Sequence, residues 1–160
     1  MLKEKLPEWY DEGYVRQGET PTWDDLKVGE TFEIRPFLLT EERIKKFAIG
    51  TQDEHPFYMD EEAAKKSKYG GLIAPPTVVV AILYASVPPE HHIKTEGALN
   101  PKQKLEFGVP ARPGDTIYGK CTITDKYIKR NKKYLEGFNL VTNQNGEMIC
   151  QWTSYGLLPK

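Results

Sequence analysis

The chain has 160 residues, 39% of them hydrophobic and 28% charged, with a formal net charge of −1. This is an ordinary globular composition, long enough for one domain with a real core, and its charge gives no reason to expect nucleic acid or anionic lipid as a partner. The longest apolar run is far too short to span a bilayer, and the start MLKEKLPEWYDEGY has no apolar signal region, so the expectation is a cytoplasmic protein.

Residues 1–25 mix Pro, Gly, Trp and charge without a period, and read as an N-terminal extension to a single domain over 26–160. Trp9, Tyr10, Tyr14 and Trp23 are a large aromatic load for a disordered tail, so the extension is expected to pack on the body or on a partner. In ETFEIRPFLL, Phe32 and Ile34 alternate with polar residues as in a strand, until Pro36 interrupts. Thr40 then suits the N-cap of a helix over EERIKKFAI, where acids come first and lysines later, as the helix dipole favours. Ile44, Phe47 and Ala48 give that helix a core-facing stripe. Gly50 ends it, and a polar loop runs to Tyr58. Asp60 can cap a short helix, EEAAKKSK, which Gly70 and Gly71 terminate.

Pro75 and Pro76 suit a helix's first turn, where a fixed φ and a missing N–H cost least. From Thr77 to Ala85 the run TVVVAILYA has no charge, which predicts a helix buried on all sides. Its valines would suit a buried strand equally well, and the proline pair decides for helix. His91 and His92 follow in a loop, where adjacent side chains project differently, so solvent exposure is expected rather than a shared metal. The last third holds KQKLEFGVP, TIYGKCTITDKYI, KKYLEGFNLVTN and EMICQWTSYGLL, four strand-like runs. Pro113-Gly114-Asp115, the polar bend from Lys129 to Lys133, and Asn143-Gln144-Asn145-Gly146 are the turns between them. Cys121 and Cys150 have no CxxC spacing and read as small buried hydrophobes in strands. An antiparallel sheet wrapping one apolar helix is an α+β arrangement.

The combination FAIGTQDEHPFYMDEEAAKKSKYGGLIAPPT, then VPARPGDTI and NQNGE, resembles the MaoC-like hydratase and dehydratase family, over roughly residues 25–158. The branch with the N-terminal MaoC dehydratase domain is the most similar. The resemblance implies a hot dog fold, a curved antiparallel sheet around a central helix at about residues 75–86. It also implies a homodimer or a heterodimer with another hot dog subunit, an acyl-CoA or acyl-carrier-protein thioester as substrate, and no metal or other cofactor.

The family's hydratase motif reads approximately G-D-x-N-P-x-H-x-D. Asp53 matches the catalytic aspartate, Pro56 the motif proline and Asp60 the closing aspartate, while His55 replaces the asparagine and Tyr58 the catalytic histidine. Hydration of a 2-enoyl thioester needs one group to deprotonate water and another to protonate the α-carbon, and histidine serves both. Tyrosine, with an unperturbed pKa of about 10, is a poor base at neutral pH but can still donate a proton. Asp53, Tyr58 and His55 are therefore the candidate catalytic residues. Family hydratases open the central helix with His-Gly and bind the thioester carbonyl with a backbone N–H, a task that helix N-termini suit. Here prolines hold those positions, so the donor falls to Thr77 or Val78. Gly70, Gly71, Pro76 and Thr77 are the candidate substrate-binding residues, although Gly70 and Gly71 also read as a plain turn. The implied activity is that of a hydratase or dehydratase. A non-catalytic partner subunit and a thioesterase on the same fold are the alternatives.

Overall fold

The computed structural model describes residues 21–88, 91 and 98–158. Strands β1 (Thr31–Glu33) and β2 (Phe37–Leu38) lead into helices α1 (Glu41–Gly50), α2 (Pro56–Met59), α3 (Glu61–Lys65) and α4 (Val78–Ala85). Strands β3 (Leu99–Phe107), β4 (Thr116–Lys129), β5 (Lys132–Thr142) and β6 (Met148–Leu158) follow. The sheet is antiparallel, in the order β1-β4-β5-β6-β3, with β2 pairing on the start of β4. Pro36 divides the first strand run into two short pieces, since it has no N–H for a ladder.

Directly paired residues of an antiparallel sheet point to the same face. One such row runs Phe32, Cys121, Asn139, Trp152, Leu105 across five strands. Its middle members are buried, and Phe32 packs against the same core. Asn139 is satisfied there by donating to Trp152 O at 3.4 Å and Ser154 Oγ at 3.2 Å. Helix α4 lies on this face, sending Val78, Val79, Ile82 and Leu83 inward. Gly119 lets it approach, since a Cβ at that position would stand 3.1 Å from Leu83 Cδ1 and 2.8 Å from Ile34 Cδ1.

Burial of α4 is one-sided rather than complete. Ala81, Tyr84 and Ala85 are exposed, because β3 is the last strand of the sheet and nothing among the described residues covers the helix beyond it. The helix also starts at Val78, with Pro76 and Thr77 in a preceding turn. His91 is half-buried rather than exposed, its ring stacked on Phe32 at 4.5 Å between centroids, whereas His92 lies outside the described residues. Both cysteines are buried and free, and burial pushes the Cys121 thiol up to about 12, which leaves it unreactive.

Of the N-terminal extension, residues 21–25 are described, and they pack on the body. Trp23 Nε1 donates to Tyr134 O at 2.9 Å and its ring lies 4.2 Å from Lys126 Nζ, while Lys133 pairs with Asp24 at 2.7 Å. Among the described residues no helix is long and apolar enough to cross a membrane.

Leu83 is 1% exposed and sits where α4 meets β4, so Leu83→Ala should cost about 3 kcal/mol. The check is a lowered midpoint in urea unfolding with an unchanged slope.

Candidate active site

The polar segment after α1 is held against the end of that helix. Thr51 N–H and Oγ1 both donate to Phe47 O at 2.9 Å, Gln52 takes a left-handed φ of 57°, and Asp53 N–H donates to Ala48 O at 2.9 Å. Asp53 is thereby fixed at the surface with an exposed side chain. The expected loop to Tyr58 contains a helical turn instead, because Pro56 opens α2 and His55 caps it. His55 is exposed, and its Nδ1 accepts from Phe57 N–H at 3.2 Å. Asp60 then caps α3, accepting from Glu62 N–H at 2.9 Å and Ala63 N–H at 3.1 Å. That helix ends at Lys65, so Gly70, with φ of +67°, shapes a later turn rather than the helix end.

Tyr58 is half-buried against the core and stands 5.7 Å from the His55 ring. Burial, then the negative charge of Asp53 and the neighbouring Tyr69, push its hydroxyl above the ordinary phenol value. The Asp53 charge thus acts on Tyr58, which stays a neutral phenol at neutral pH.

Two backbone bonds tie down the segment that leads into α4. Ile73 N–H donates to Phe57 O at 3.1 Å, and Ala74 N–H to Ala111 O at 2.8 Å. Pro75 is fully buried as the pivot, while Pro76 and Thr77 are exposed. Of the two candidate carbonyl donors, Val78 N–H is already bonded to Pro75 O at 3.0 Å. Thr77 N–H has no acceptor among the described residues.

Sequence reasoning passed over Tyr69 and Arg112. Tyr69 packs edge-on against Phe57 with centroids 5.8 Å apart, and Arg112 Nη2 donates to Tyr69 O at 2.7 Å. Both lie inside the motif stretches, but only the folded loops bring positions 43 residues apart into contact. Gly71 sits beside Arg112, whose Nη1 is 3.7 Å from where a Cβ would be. Among the described residues, no three His, Cys, Asp or Glu side chains are grouped as metal ligands.

Residues 27–152 match the family described as FAS1-like, dehydratase domain region. The fold superposes on a MaoC-like dehydratase from Rhodospirillum rubrum with a TM-score of 0.74 and 28% identity, covering 84% of this chain and 94% of the other. The chain belongs to the MaoC-like hot dog family. The UPF0336 protein of Streptomyces griseus is 32% identical over 132 residues, 79% of this chain and 88% of that protein. A further hot dog chain, from the HadBC (3R-hydroxyacyl-ACP dehydratase) complex of Mycobacterium tuberculosis, shares the fold alone. It has a TM-score of 0.70 and 24% identity, over 81% of this chain and 96% of that one. The family's helix and sheet are thus α4 and the five-strand path described above.

Because Asp53 raises the Tyr58 pKa, Asp53→Asn should lower it while leaving it above the free phenol value, since burial is the larger cause. Ultraviolet difference titration, with Tyr58→Phe to assign the signal, reads this directly.

Proposed function

We propose that this chain hydrates 2-enoyl thioesters, or dehydrates the matching 3-hydroxyacyl thioesters, carried on CoA or on a carrier protein. The observation that carries this reading is a half-buried Tyr58 whose hydroxyl is held above the ordinary phenol value by burial and then by the Asp53 charge, on a turn whose Phe57 O is bonded to the segment that opens α4. In the hydration direction Asp53 takes a proton from water as the oxygen bonds to the β-carbon. Charge then develops on the thioester carbonyl oxygen, where Thr77 N–H, without an acceptor among the described residues, is the donor on offer. Tyr58 delivers its proton to the α-carbon, since an enolate carbon is far more basic than a phenolate. Transfer of the proton from Asp53 back to Tyr58 restores both groups. His55, through its cap on Phe57 N–H, sets the turn that presents Tyr58.

Tyrosine at position 58 also favours a second reading, in which this chain shapes the acyl channel and a partner hot dog supplies the full aspartate and histidine pair. Either reading uses a dimer, and β3 supports one. Among the described residues its outer side has no partner strand, and Leu99, Leu105, Phe107 and Val109 next to that edge are 62%, 37%, 47% and 36% exposed. A strand edge with that much exposed apolar surface is a pairing surface.

Purified protein should hydrate crotonyl-CoA, followed as loss of enoyl absorbance, and Asp53→Asn should slow it by about 100-fold or more. An idle, folded protein that binds acyl-CoA would favour the partner-subunit reading. Leu105→Lys should shift the dimer toward monomer in light scattering, and an unchanged mass would remove β3 as the pairing strand.

A further inference from the structure

Arg112 carries a charge that the described residues do not neutralise. The residue is half-buried, and its guanidinium lies against Gly71 and is held by Tyr69 O through Nη2. The nearest carboxylate in sequence, Asp115, is already engaged. Its Oδ2 accepts from the Arg112 backbone N–H at 2.7 Å and its Oδ1 from Gln144 Nε2 at 3.1 Å. Lys68 adds a second charge, its Nζ 5.1 Å from the centroid of the Tyr69 ring, and Lys66 a third in the same turn. Among the described residues none of these three forms an ion pair, whereas Lys65 just before them is paired with Glu61 and Glu62.

A partly desolvated guanidinium without a counterion is costly, and the planar fork with free N–H groups matches the oxygens of a phosphate. The acyl thioester itself is neutral. Its carrier is not, because CoA and carrier protein alike attach the thioester to a pantetheine that bears a phosphate. We propose that Arg112 and Lys68, with Lys66 beside them, bind this pantetheine phosphate. Arg112 supplies the oriented hydrogen bonds and the lysines the field. The inference rests on the thioester reading of the site, and it places the carrier on the Tyr69 side of Tyr58.

The test is calorimetric titration of the full chain at low salt with three saturated ligands that cannot turn over: S-butyryl-pantetheine, its 4′-phosphate, and butyryl-CoA. Arg112→Gln and Lys68→Glu should each weaken the two phosphorylated ligands about tenfold and spare the unphosphorylated one. Lys132→Glu, at the far hairpin turn, is the charge-matched control and should change nothing. Because Arg112 also holds Tyr69 O, Lys68→Glu, which removes no backbone contact, separates charge from loop support. Equal loss on all three ligands, no loss on any, or loss confined to butyryl-CoA would overturn the assignment. The last result would put the anion on the nucleotide end. Crotonyl-CoA hydration is scored separately. Phosphate-dependent binding without turnover sinks the catalytic reading and keeps this one, and turnover with phosphate-independent binding does the reverse.

Discussion

Helix α4 has eight residues and no charge, so its burial against the inner face of the sheet governs where everything else can go. The row from Phe32 through Cys121 and Asn139 to Trp152 gives it a floor, and Gly119 lets it close on β4. With the helix body fixed, its N-terminus is fixed as well. Pro75 is buried beneath it, and the residues before it are tied on one side to α2 and on the other to the β3–β4 connection. The catalytic candidates hang from this arrangement rather than from their own helices, since α2 has only four residues and no buried one. A turn that short has no stability by itself and takes its geometry from the contacts around it.

The same burial explains what the fold leaves open. The inward row ends at Leu105 on the edge strand, and α4 shows Ala81, Tyr84 and Ala85 on that side. Tyr84 is not idle there, for its hydroxyl accepts from Gln103 Nε2 at 3.0 Å and Trp152 Nε1 at 3.4 Å. Among the described residues an apolar helix face and a strand edge without a partner therefore lie side by side, and on the proposed reading a second hot dog covers them by extending the sheet.

Local chemistry made much of this legible in advance. The Thr40 cap, the Asp60 cap and the four long strands were readable because each is encoded within a few residues: an oxygen acceptor before a helix, or alternation bounded by turn residues. The motif picked out Asp53 and Tyr58 as candidates from spacing within one short segment. What escaped was decided by distant partners. His91 looked exposed in a polar loop, but Phe32 offers it a stacking face. Proline opening α2 two residues before Tyr58 was a cue hidden by the short length of that helix. Arg112 gave no signal at all, because its significance is a missing carboxylate, and pairing across the fold cannot be read from spacing.

On the proposed reading, the exchange of histidine for tyrosine has a definite energetic consequence. Hydration begins with an ionised Asp53 and a neutral Tyr58, and protonating the α-carbon leaves the reverse, a neutral aspartic acid beside a phenolate. Burial, the larger cause of the raised Tyr58 pKa, makes that second state costlier, by about 1.4 kcal/mol for each unit it contributes, whereas the Asp53 charge is gone once that carboxyl holds the proton. An imidazole in the same place would pass through no such state, since its two forms are close in energy at neutral pH. A tyrosine site can therefore run the reaction only if the proton returns from Asp53 as the α-carbon receives its own, which demands that substrate, carboxyl and hydroxyl be tightly aligned. Alignment of that kind comes from binding remote parts of the substrate. An anchored carrier and a rigid turn around Tyr69 matter more to this chain than to a relative with histidine at the same position.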